Sequence, residues 1–231
     1  MEQRLRAPWH PLEAVPVVIA AAVVTILLAV ILRLLVSGGG SMFTVTVTAI
    51  QQVTLALTTL VWVRLRHRES LAALGLHSRR GMADGLIGAL SGLGFLAIAG
   101  FVVFPVESFV WEAIAGHPPP PVEQLPFDFT TPVIVAAAVL VVGITPLAEE
   151  IFFRGFLFGG LRGRLSFLPS AAIASAAFAL LHPPLQLGIV IFFVGFGFAA
   201  LYEWRGSLVV NIAAHMGFNL IGFTFIVMNR T

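Results

Sequence analysis

The 231-residue chain has no cysteine and no lysine, and only 10% of its residues are charged. The missing thiols exclude disulfides, thiolate metal sites and a cysteine nucleophile. A soluble domain carries roughly 25% charged residues. So little charge, with 58% hydrophobic residues and a mean hydropathy of +0.99, excludes a soluble globular fold. Aspartate is missing from the interior of every apolar run and no Gly-x-Ser-x-Gly elbow occurs. An aspartyl dyad and a nucleophile-elbow hydrolase are therefore excluded as well. All 13 basic residues are arginine, and they give a pI near 10.4. They sit in short loop clusters, which in a membrane protein set orientation and touch anionic headgroups. Nucleic acid is not an expected partner.

What the chain does have is long apolar runs. They predict an all-α, polytopic transmembrane helical bundle of about seven spans. The expected spans are Val15 to Val36, Phe43 to Val63, Asp84 to Phe104, Pro132 to Leu161, Phe167 to His182, Leu185 to Tyr202 and Leu208 to Val227. Arg4 and Arg6 before the first run resemble a signal peptide, but the run is too long for an h-region, so a retained helix is expected. Thr44 to Thr48 alternate like a strand. An open strand cannot sit in lipid, so length decides for helix. Gln51 and Gln52, inside that span, read as interhelical hydrogen-bonding groups. Gly81/Gly85 and Gly88/Gly92 have the spacing of close helix contacts. Ser70 to Gly75 reads as an interfacial helical turn.

Pro105 to Thr131 reads as the one long loop, with Glu107, Glu112, Glu123 and Asp128, no arginine, and the proline run Pro118 to Pro121. Residues 1–131 are thus expected to give three helices and an acidic external loop, and residues 132–231 a four-helix catalytic core. With seven spans, Arg4/Arg6, Arg64 to Arg80, Arg162/Arg164 and Arg205 fall on one side. The positive-inside rule makes that side cytoplasmic. The expected location is the cell membrane, with a cytoplasmic N-terminus and Arg230 as a minor exception at the outer tail.

Inside the fourth run lies Leu147-Ala148-Glu149-Glu150-Ile151-Phe152-Phe153-Arg154. Ionisable groups at bilayer depth are costly and mark a working site with a partner nearby. Glu150 and Arg154 share a helix face four residues apart and should pair. Glu149 is turned about 100° away, so it should be left free. His182, Asn211, His215 and Asn219 are the other strongly polar groups in the last four runs. Counted from the arginine loops, Glu149, His182, His215 and Asn219 lie at depths of about 20, 27, 15 and 21 Å. Three segments thus bring a carboxylate, two imidazoles and an amide to one level. Asn211 reads as an interhelical hydrogen bond. A carboxylate with a histidine can polarise water, and an imidazole and an amide can donate to an oxyanion. That set suits hydrolysis of an amide by direct water attack. A zinc ion on a Glu/His/His set is left open as the one cofactor, although the His-Glu-x-x-His helix is absent.

Glu149-Glu150-x-x-x-Arg154, Phe178-x-x-x-His182 and His215-x-x-x-Asn219, in this order, resemble the CPBP (Abi) family. It comprises type II CAAX prenyl endopeptidases and bacterial bacteriocin-processing or immunity proteins. The resemblance covers about residues 132–227. It implies an intramembrane endopeptidase acting on a peptide or membrane-protein substrate in the bilayer. It also implies that Glu149 activates water with help from His182, and that Glu150 and Arg154 support it. By the same resemblance His215 and Asn219 stabilise the oxyanion, and Phe178 positions His182. The alternative is a non-catalytic immunity or scaffold protein that keeps the polar cluster for stability.

Overall fold

The computed structural model describes residues 7–36, 38–77, 81–118, 128, 130–182 and 187–229. Arg4, Arg6, Arg79, Arg80, Pro119, Pro120, Pro121, Glu123, Pro183, Pro184 and Arg230 lie outside the described residues. The described residues form helices without strands. These are α1 (Ala14–Leu35), α2 (Ser41–Arg66), α3 (Met82–Ala115), α4 (Thr131–Arg162), α5 (Phe167–Leu180), α6 (Gly188–Arg205) and α7 (Leu208–Met228). Among the described residues, six helices are long and apolar enough to cross a membrane. The chain is a multi-pass helical membrane protein.

The seventh helix, α5, has 14 residues, or about 21 Å of rise. That is shorter than the roughly 30 Å of bilayer hydrocarbon. The expected fifth span is therefore a short helix that ends before His182. The expected long loop from Pro105 is also corrected, because α3 runs on as helix through Glu107 and Glu112 to Ala115. A wide turn makes this possible: the Phe104 N–H bonds back five residues to the Ala99 carbonyl. Pro105, which has no N–H to donate, falls where the ladder is already interrupted. Gly116, at φ 75°, ends the helix in a left-handed cap. In α2 the strand-like threonines are helical. Thr46 and Thr48 donate their hydroxyls to the Met42 and Thr44 carbonyls at 2.8 and 2.9 Å, which hides them from lipid.

The core is built around α4. Residues 148–162 are all buried, the four charged side chains included, because neighbouring elements enclose the helix on every side. Its 150–158 stretch touches α2, α5, α6, α7 and the turn Leu71–Leu74. That turn, expected at the interface, instead has Leu74 fully buried with its carbonyl accepting from the Tyr202 hydroxyl. The segment before α1 also reaches the core. Trp9 is fully buried, stacks on Phe156 and donates its indole N–H to the Phe156 carbonyl at 2.7 Å. One apolar cluster thus joins Trp9, Val63 and Leu74 to Phe152, Phe156 and Phe178, so packing runs across the expected division at 131.

At one end of the bundle Arg164 donates to the Trp9 carbonyl, and Arg162 and Arg205 pair with Glu203 and Asp84. Arg64 and Arg66 close α2 at the same end. Toward the other end Ser41 bonds Asp128. Of the two glycine pairs, only Gly88 and Gly92 meet another helix. A Cβ at either would overlap the α7 backbone, at Val210 and Ala214 or at Ala214 and Phe218. Nothing lies within 4 Å of a Cβ at Gly81 or Gly85.

Candidate active site

Four elements carry the polar cluster. Helix α4 supplies Glu149, Glu150 and Arg154, and α7 supplies Asn211, His215 and Asn219. The residues after α5 supply His182, and α2 supplies Gln52. The carboxylates, the guanidinium, Asn211 and His215 are all buried. Gln52, Asn219 and His182 are half-buried, the His182 side chain being 30% exposed against 6% for Glu149.

Glu150 is fully buried and carries three partners. Arg154 donates to its Oε1 at 2.9 Å, Asn211 donates to its Oε2 at 3.2 Å, and His215 Nδ1 lies 2.9 Å from Oε1. Arg154 also donates to the Gly195 carbonyl at 3.2 Å and lies over the Phe178 and Phe198 rings at 4.5 and 5.1 Å. A guanidinium can be buried this way because its flat faces meet π electrons while its edges meet acceptors.

Glu149 is not left free, as its rotation away from Arg154 suggested. His182 Nε2 stands 3.3 Å from its Oε1, and His215 Nε2 stands 3.8 Å from its Oε2. The Gln52 amide donates to Oε1 at 3.4 Å. The other nitrogen of each imidazole is committed. His182 Nδ1 donates to the Phe178 carbonyl at 2.6 Å, and His215 Nδ1 faces Glu150. With both Nδ1 atoms as donors, a neutral ring presents a bare Nε2 to Glu149. A bare nitrogen facing a carboxylate is repulsive, so this trio must share a proton. Charge gives the same count: two carboxylates against one guanidinium leave a buried net charge that one imidazolium cancels.

Of the residues singled out in the sequence, Glu149, Glu150, Arg154, His182 and His215 come together. Asn219 is half-buried on the same helix, with its amide donating to the Val141 carbonyl at 2.8 Å. Phe178 packs its ring 4.2 Å from His182 and 6.1 Å from His215. Two further side chains join the site. Asn211 is interhelical as expected, but what it holds is Glu150. Gln52 reaches the site from outside the C-terminal core. Its polarity inside an apolar run was the available signal, but no spacing rule says which helix it meets. Among the described residues no group of three His, Cys, Asp or Glu side chains is placed to hold a metal ion.

Known proteins add an independent comparison. Residues 131–221 match the family model described as Type II CAAX prenyl endopeptidase Rce1-like. A Bacillus subtilis (strain 168) protein named "Putative membrane peptidase YdiL" is 34% identical over 85 residues, 37% of this chain and 33% of that protein. A second from the same organism, "Uncharacterized protein YyaK", is 36% identical over 104 residues, 40% of this chain and 34% of that one. The matches thus span about a third of the length of each relative. No solved structure matches the chain.

Proposed function

Residues 131–221 of this chain belong to the CPBP (Abi) family of membrane proteases, through its Rce1-like, type II CAAX prenyl endopeptidase model, and on that premise we propose that the protein is an intramembrane endopeptidase. It hydrolyses a peptide bond by direct attack of water. The observation that carries this reading is the Glu149 carboxylate, buried between two imidazole Nε2 atoms, one of them on the part-exposed His182.

At rest the shared proton sits on His182 Nε2 and is donated to Glu149 Oε1, leaving Oε2 as the base. As water attacks, its oxygen lone pair forms the bond to the carbonyl carbon and its proton passes to Glu149 Oε2. The carbonyl π pair moves onto oxygen. His215 Nε2 and the second N–H of Asn219 donate to that oxyanion. The ring takes its Nε2 proton from Glu149 Oε2, 3.8 Å away, in this step and returns it as the intermediate collapses; its Nδ1–H stays directed to Glu150 throughout. When the tetrahedral intermediate collapses, the C–N bond breaks and Glu149 gives its proton to the leaving amine. Glu150, Arg154 and Asn211 touch no reacting atom and hold His215 in place.

The substrate is a peptide or membrane-protein segment held in the bilayer. The arginine end of the bundle faces the cytoplasm, and the chain spans the cell membrane. Glu149→Gln tests the reading. New protein N-termini are compared in membranes from cells expressing the parent or this variant, with folding checked by thermal melting in detergent. Cleavages present with the parent and absent with a folded variant are expected. An unchanged cellular function with the variant would instead favour the immunity or scaffold reading.

A further inference from the structure

Glu149 Oε2 and Gln52 Oε1 share an unusual state. Each is buried, and neither accepts a hydrogen bond from any described residue. Leaving one buried acceptor unmade is costly, and here two occur on groups already bonded to each other. The orientation of the Gln52 amide follows from its partner. A carboxylate only accepts, so the amide nitrogen must face Glu149 Oε1, and the amide oxygen must point elsewhere. Both orphans are acceptors. Another acceptor cannot satisfy them, and no donor of the described residues bonds to them. A water molecule offers two O–H donors, the complement of two acceptors.

We propose that Gln52 is a further catalytic residue that, together with Glu149, holds and aims the attacking water; this rests on the peptidase reading above. The water donates one O–H to Glu149 Oε2 and the other to Gln52 Oε1. Both hydrogens are then occupied, so its lone pairs point away from both acceptors and toward the scissile carbonyl. The lone pair forms the C–O bond, the O–H bond to Glu149 gives up its proton, and the O–H bond to Gln52 stays intact in the product acid. Gln52 takes no proton, so its part is orientation, which an amide supplies without adding charge. The residue lies on α2, outside residues 131–221 that match the family model. The first helices thus complete the site as well as surrounding it.

Two measurements test this. In a structure of the purified protein in nanodiscs that resolves ordered water, one water within hydrogen-bonding distance of Gln52 Oε1 and Glu149 Oε2 is expected. A well-ordered site in which no water bridges the two atoms would overturn the assignment, whatever the protein cleaves. Kinetics use synthetic peptides spanning the Glu149-dependent cleavage sites. Gln52→Met, which keeps length and loses the amide, is expected to lower kcat about 10–100-fold and to leave KM within about twofold. Gln52→Asn, whose amide falls short, should do the same. Gln51→Leu, on the exposed side of the same turn, should match the parent. Parent-like kcat in a folded Gln52→Met overturns the role of Gln52 while leaving Glu149 as base. Loss of folding in both Gln52 variants makes it a packing residue and also overturns the proposal. Cleavage that survives in Glu149→Gln would instead sink the peptidase mechanism itself.

Discussion

A carboxylate with no exposed surface survives at membrane depth only if its oxygens are fully engaged, and Glu150 has a guanidinium, an amide and an imidazole on them. Removing the guanidinium leaves a buried charge with neutral partners only. Arg154→Ala is therefore expected to lose about 3–5 kcal/mol of stability and most activity, read by denaturant titration in detergent. A variant as stable as the parent would show that Asn211 and His215 suffice to hold Glu150. The Glu150–Arg154 pair was legible in the sequence because a helix puts residues four apart on one face. Depth counting put His182 and His215 near the level of Glu149, but which side chains touch its carboxylate was not legible. They come from α2, α7 and the end of α5, and local periodicity says nothing about which faces of distant helices meet.

At the scale of the element, wide turns shape both long polar-bearing helices. In α4 the Thr145 N–H bonds back to Leu140, and the Gly159 N–H to Arg154, each over five residues. Such turns leave carbonyls without their usual partner. Side chains from elsewhere take them: Asn219 donates to Val141, and Trp9 to Phe156. Pro146 in the sequence signalled a kink but not the register change around it. Helix α7 is placed from behind by α3, with Gly88 and Gly92 against its backbone. Gly92→Ala must push α7 outward at Ala214, next to His215. Shifting a catalytic group by about 1 Å can cost about 100-fold in rate, so kcat is expected to fall roughly 10–100-fold while the protein stays folded. Gly94→Ala, with nothing within 4 Å of its Cβ, should leave kcat unchanged. Equal kcat for the two variants would show that the glycine contact does not set the position of α7.

For the whole molecule, the absence of cysteine makes orientation directly measurable. Single cysteines at Gly38 and Gly116, both with no neighbour within 4 Å of a Cβ, are expected to react with an impermeant maleimide from outside intact cells. A cysteine at Gly206, at the arginine end, should react only after permeabilisation. The opposite pattern would invert the proposed topology. Composition and hydropathy alone determined that this is a helical membrane protein, because lipid admits only helices and closed barrels and the apolar runs are helix-long. The order of polar residues along the chain also indicated the family. Tertiary structure decided the rest: that α3 continues through Pro105, that α5 stops short of His182, and that Gln52 and Asn211 join the cluster. Each depends on contacts between segments distant in sequence. Helical periodicity assigns a residue to a face, and only packing assigns that face a neighbour.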